Sequence, residues 1–157
     1  MDDFIPDLID LINNFDPAAY LPKVDSILGW IEILIRICVM AAPVIMLAFG
    51  LSYLLLPPKE ANHEAGYRFY FGMGSVEAWR FTQKLAGMVW SALGLILSIV
   101  MFFVSGSFRG MDGMQMLDKA VVCILWEIGL MAVACITINV FLIVRYDRKG
   151  NLRGKKK

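Results

Sequence analysis

The chain alternates between three long apolar runs and shorter stretches in which charged and polar residues return. The runs cover residues 27–56, 85–104 and 120–144. At about 1.5 Å of rise per residue each can cross roughly 30 Å of hydrocarbon as a helix. A segment in lipid has no water to satisfy its peptide groups, so each run is predicted to be α-helical. Glu32, Arg36 and Pro43 interrupt the first run, and Pro57-Pro58 ends it. Pro43 lacks a backbone donor and is expected to kink the helix. Ser75-Val76-Glu77 leads the second run: Ser75 can cap the first turn and Glu77 suits the positive end of the helix dipole. One helix is therefore expected to start in water after Ser75 and continue into the bilayer. The third run stops at Arg145, whose long stem can carry its charge into the headgroups.

Ahead of the first run, Phe4, Ile5, Leu8, Ile9, Ile12 and Phe15 recur at helical spacing while Asp3, Asp7 and Asp10 take the other side. This pattern predicts a short amphipathic helix, lying either in the membrane interface or on the outer ends of the protein's own helices. The expected fold is an all-α integral membrane protein with three transmembrane helices plus this N-terminal amphipathic helix. An acidic segment (1–26) precedes a three-helix domain (27–144) with a loop at 57–84, and a basic tail (145–157) follows.

Composition agrees with lipid as the solvent. Hydrophobic residues make up 59% of 157 and charged residues 18%, with a mean hydropathy of +0.64. A water-soluble domain of this size keeps too much of its chain at the surface to be so apolar. The start Met1-Asp2-Asp3 is acidic where a cleavable signal peptide would be basic, so the first span is expected to direct insertion itself.

The net charge of +1 conceals a polarity along the chain, with six Asp and one Lys in residues 1–26 but seven Lys or Arg and one Asp in residues 145–157. Lys59, Arg68, Arg80 and Lys84 add four cations in the loop 57–84, whereas Lys23 and Arg109 are the two on the opposite side. Basic residues gather on the cytoplasmic side of short loops. The N-terminus is therefore expected outside, and the C-terminus in the cytoplasm, of a bacterial cytoplasmic membrane. Because the basic tail directly follows an apolar helix, it speaks for membrane topology rather than for a nucleic-acid partner.

Candidate chemistry is sparse. Cys38, Cys123 and Cys135 lie inside apolar runs with neither a CxxC nor a metal-ligand spacing, and read as small packing residues. His63 is the only histidine; flanked by Asn62 and Glu64, it reads as a polar loop residue rather than a metal ligand. No Ser-His-Asp set, phosphate cradle, metal motif or cofactor motif is visible, and the chain is not read as an enzyme.

The loop is richer than a connector requires. Gly66-Tyr67-Arg68, a spacer, and then Ser75, Glu77, Trp79, Gln83 and Gly87 lead into the second span. In these residues the chain resembles the SdpI-like bacterial membrane proteins, some of which protect the producing cell from a secreted toxic peptide. The resemblance covers roughly residues 55–104 well and the third span loosely, with Phe69 standing where a small hydroxyl residue is usual. It implies a membrane protein conferring immunity to, or sensing, a membrane-active peptide. From the residues alone, the loop aromatics read as anchors at the membrane interface.

Glu32, Arg36 and Glu127 form a second constellation, of charges inside the spans. Glu32 and Arg36 are four apart and share a helix face. Counted at helical rise from the cytoplasmic ends, Arg36 and Glu127 stand roughly 30 and 26 Å up. A charge in lipid seeks a partner, so Arg36 is expected between Glu32 and Glu127; separate snorkelling charges are the alternative. A small transporter, or an accessory or structural subunit of a membrane complex, is accordingly the second functional expectation. The partners foreseen are the lipid bilayer, a peptide toxin, another membrane protein or further copies of the chain.

Overall fold

The computed structural model describes residues 24–61 and 65–153. Three long helices make up nearly all of it: α1 (Val24–Leu55), α2 (Val76–Gly106) and α3 (Gly113–Arg145). A 3-10 turn, Tyr70–Gly72, lies in the α1–α2 connection. Each α-helix is long and apolar enough to span a membrane, and the protein is a multi-pass membrane protein. The amphipathic helix expected in the N-terminal segment precedes Val24 and lies outside the described residues, as do His63 and the last lysines.

The helices overrun the hydrocarbon. Their 31 to 33 residues correspond to roughly 45–50 Å at helical rise. Helix α1 continues through Pro43, whose ring is fully buried. Helix α2 begins at Val76, with the Ser75 hydroxyl accepting from the Ala78 amide at 3.1 Å and Glu77 in the first turn, so the wet start and the span are one helix. Helix α3 starts at Gly113, ahead of the apolar run at residue 120. Peptide hydrogen bonds hold a helix in water as in lipid, and the Gly110 turn (φ +76°) rather than hydrophobicity sets where it begins.

Packing is closest between α1 and α2. A Cβ on Gly50 would stand 2.3 Å from the Ser91 backbone nitrogen, and one on Gly94 would stand 2.5 Å from that of Leu47. The two helices thus meet backbone to backbone, the usual device where lipid offers no hydrophobic drive for association. Helix α3 closes the bundle with Cys123 against Val39 and Met101, Ala134 against Met46 and Leu97, and Ile138 and Leu142 beside Ala86. Phe103 (72% exposed) and Trp126 (67%) point outward, an arrangement suited to acyl chains. At the far end, Met116 and Phe108 cover the α2–α3 turn, and Lys119 donates to the Ser107 hydroxyl at 2.8 Å.

After α3 the chain folds back. Tyr146 and Leu152 form an isolated antiparallel bridge, and Asp147 accepts from the backbone amides of Lys149 and Asn151, both at 2.8 Å. Tyr146 is buried with its ring 5.6 Å from that of Phe81. The Arg145 guanidinium lies 4.4 Å from the Phe81 ring centroid, so its charge rests on an aromatic face.

Candidate functional site

The residues singled out in the loop and at the head of α2 converge on one end of the bundle. Gln83 is the centre. It is fully buried, and its amide reads the backbone of Tyr67 in both directions. The Tyr67 N–H donates to Gln83 Oε1 at 2.8 Å, and Gln83 Nε2 donates to the Tyr67 carbonyl at 2.9 Å. A side-chain amide has one acceptor and two donors, so it can stand in for a neighbouring strand and satisfy a loop's peptide groups where water is scarce.

Gly66 makes this approach possible. Its φ of +98° is a left-handed conformation, and a Cβ there would stand 2.7 Å from Gln83 Oε1 and 3.0 Å from the Trp79 ring. Only glycine meets both conditions without strain. Trp79 is fully buried, and its indole N–H donates to the Pro58 carbonyl at 2.8 Å. One helix turn thus fixes both limbs of the loop, Trp79 holding the prolines that end α1 and Gln83 holding Tyr67.

Tyr67 carries the connection to α3. Its hydroxyl donates to Asn139 Oδ1 at 2.9 Å, and its ring meets that of Trp90 edge-on at 6.2 Å. Burial, and after it the neighbouring Cys135, pushes the Tyr67 phenol above its ordinary value, so it stays a donor at any physiological pH. Asn139 is the partner that the sequence reading passed over. The available signal was an amide in the middle of an apolar run, which needs a hydrogen-bond partner in lipid.

Ser75 serves twice. It caps α2, and its hydroxyl donates to the Gly150 carbonyl at 2.7 Å; the same bond ties down the folded-back tail. Gly87 faces Leu54, where a Cβ would stand 2.7 Å from Leu54 Cγ. Glu77 and Arg68 are exposed, and Arg68 stands within electrostatic reach of the Tyr53 hydroxyl. Of the motif, then, Gly66, Tyr67, Ser75, Trp79, Gln83 and Gly87 build the clasp from within, while Arg68 and Glu77 face out from it.

The charges inside the spans are arranged differently from the expected triplet. Arg36 pairs with Glu32 one turn away. Glu127 is only 3% exposed, and neither of its oxygens has a hydrogen-bond partner among the described residues. It faces the bundle interior, and among the described residues no ion pair joins it to Arg36. Helical rise placed the two charges at similar depths, but similar depth alone does not bring their side chains together.

No curated protein and no solved structure matches the chain. The profile of the SdpI/YfhL protein family matches residues 59–145, from the loop after α1 to the end of α3. The motif residues Gly66 to Gly87 that build the clasp lie within that stretch, and the chain belongs to the SdpI/YfhL protein family.

Proposed function

We propose that this SdpI-like protein resides in a bacterial cytoplasmic membrane, N-terminus outside and C-terminus in the cytoplasm, and confers immunity to, or senses, a membrane-active toxic peptide. The observation that carries the reading is family membership across the segment that builds the clasp. A loop hydrogen-bonded to α2 and α3 and continuous with α1 gives a bundle of fixed shape, whose lipid-facing apolar sides offer an inserting peptide a surface to meet. The test is survival of cells with and without the gene during challenge with secreted membrane-active peptides from competing strains. Protection against at least one peptide, lost in a Gln83→Leu variant, is the expected result. Identical killing curves across the panel would refute the immunity role.

Glu127 favours a second reading, transport or service as a subunit of a transport complex. A buried carboxyl within a span is a common mark of a proton or cation path. Proteoliposomes under an imposed pH gradient would distinguish the two: flux abolished by Glu127→Gln supports transport, and membranes as tight as protein-free vesicles oppose it.

A further inference from the structure

The loop end also holds a cleft that the clasp does not use. It has a volume of about 360 Å³ and lies between the last turn of α1 and the first turns of α2. Lys59, Arg80 and Lys84 supply its charge, while Tyr53, Leu54 and the Pro57-Pro58 wall supply its apolar side. No carboxylate lines it, and among the described residues none of the three cations has a carboxylate within 4.0 Å. Arg80 and Lys84 are one helical turn apart and share a face. The wall is fixed rather than loose, because Trp79 holds the Pro58 carbonyl and the Tyr53 ring leans on Trp90 at 6.2 Å.

Depth identifies the occupant. Leu55 and Leu56, 74% and 80% exposed, end the lipid-facing surface of α1, and Lys84 immediately precedes the apolar run of α2. The cleft therefore opens where hydrocarbon gives way to headgroups. We propose that it binds the phosphate of one anionic phospholipid, with Lys59, Arg80 and Lys84 around the headgroup and Leu54 and Pro57 against the start of the acyl chains. Arg80 offers a planar fork for two phosphate oxygens, and the lysines add point charges. Three cations against one phosphate leave an excess of positive charge that repels the ammonium of a zwitterionic headgroup, which favours phosphatidylglycerol or cardiolipin. The site stands whether or not the immunity reading does.

The test is native mass spectrometry of the full-length protein, delipidated and titrated with phosphatidylglycerol, phosphatidylcholine or inorganic phosphate. Selective retention of one phosphatidylglycerol per chain is expected, weakened about tenfold or more in K59Q/R80Q/K84Q, since each cation near an anionic headgroup contributes. R148Q/K149Q/R153Q, with the same change in charge on the tail, should keep it. Equal losses in both triple variants would mean diffuse charge rather than a site. Phosphate binding with no lipid retention would assign the cleft to a free anion and overturn the lipid proposal. A photoactivatable phosphatidylglycerol on the unmutated protein gives a readout independent of variant folding: adducts should fall within residues 53–59 and 80–84, and adducts spread along the helices would overturn the site.

Discussion

Gln83 replaces a strand neighbour for Tyr67, which makes it costly to lose. Gln83→Leu keeps the volume and removes both hydrogen bonds, stranding a peptide N–H and a carbonyl in a buried place. Two groups left unpaired at about 1–3 kcal/mol each give an upper range of about 2–6 kcal/mol, and because Tyr67 is only partly buried the loss should fall in the lower half of it. Thermal or denaturant melting in detergent would measure it; a midpoint unchanged from wild type would show that water replaces the amide. Asp147 offers a pH-dependent counterpart in the tail. Its hydrogen bonds, first from Asn151 and then from Lys149, hold its carboxyl below the ordinary carboxylate range. A depressed folded value means that its contribution is complete above the unfolded value and lost as pH falls through the folded one. The Asn151 amide resonance should therefore shift on acidification below about pH 4, where an ordinary Asp titrates, and the shift should vanish in Asp147→Asn. A resonance indifferent to acid would remove the carboxylate from the turn's support.

Among the helices, the α1–α2 contact leaves the least freedom. Gly50 and Gly94 each touch backbone rather than a movable side chain, so a larger residue can be housed only by separating the helices. Gly94→Leu should cost at least the roughly 1–3 kcal/mol typical of overpacking and should disturb the clasp at a distance, because Trp79 and Gln83 ride on the same helix. A lowered melting midpoint together with a shifted Gln83 side-chain amide resonance would report the separation; both unchanged from wild type would contradict it. The same distinction between local and distant causes governs what was legible beforehand. The spans followed from composition, and the Ser75 start followed from a cap whose donor is three residues away. The Gln83–Tyr67 pair spans 16 residues and the Tyr67–Asn139 bond spans 72, and both depend on how each helix is rotated about its axis. The expected Arg36–Glu127 contact failed for the same reason: helical rise locates Glu127 along α3 but says nothing of how α3 is rotated against α1.

At the scale of the molecule, three spans place the 56–75 connection and the folded-back tail at one end, and the α2–α3 turn at the other. In the orientation proposed above, the basic residues of the loop and tail would put the first end in the cytoplasm. In a background lacking Cys38, Cys123 and Cys135, Arg109→Cys should react with a membrane-impermeant maleimide on intact cells, and Glu60→Cys only after lysis. The opposite pattern would invert the protein.

The Tyr67–Asn139 and Ser75–Gly150 bonds also set a schedule for biosynthesis. Both partners of the loop are synthesised after it. While α1 and α2 are already in the membrane, Tyr67 has no acceptor on α3 and the Ser75 hydroxyl has no tail carbonyl to meet. The segment matched by the family profile therefore reaches its final shape only after the third span has inserted and the residues that follow it have emerged. A nascent chain stalled before residue 139 would expose a half-built loop to the cell's membrane proteases, and proteolysis of stalled chains of graded length should drop sharply once Asn139 and then Gly150 have emerged.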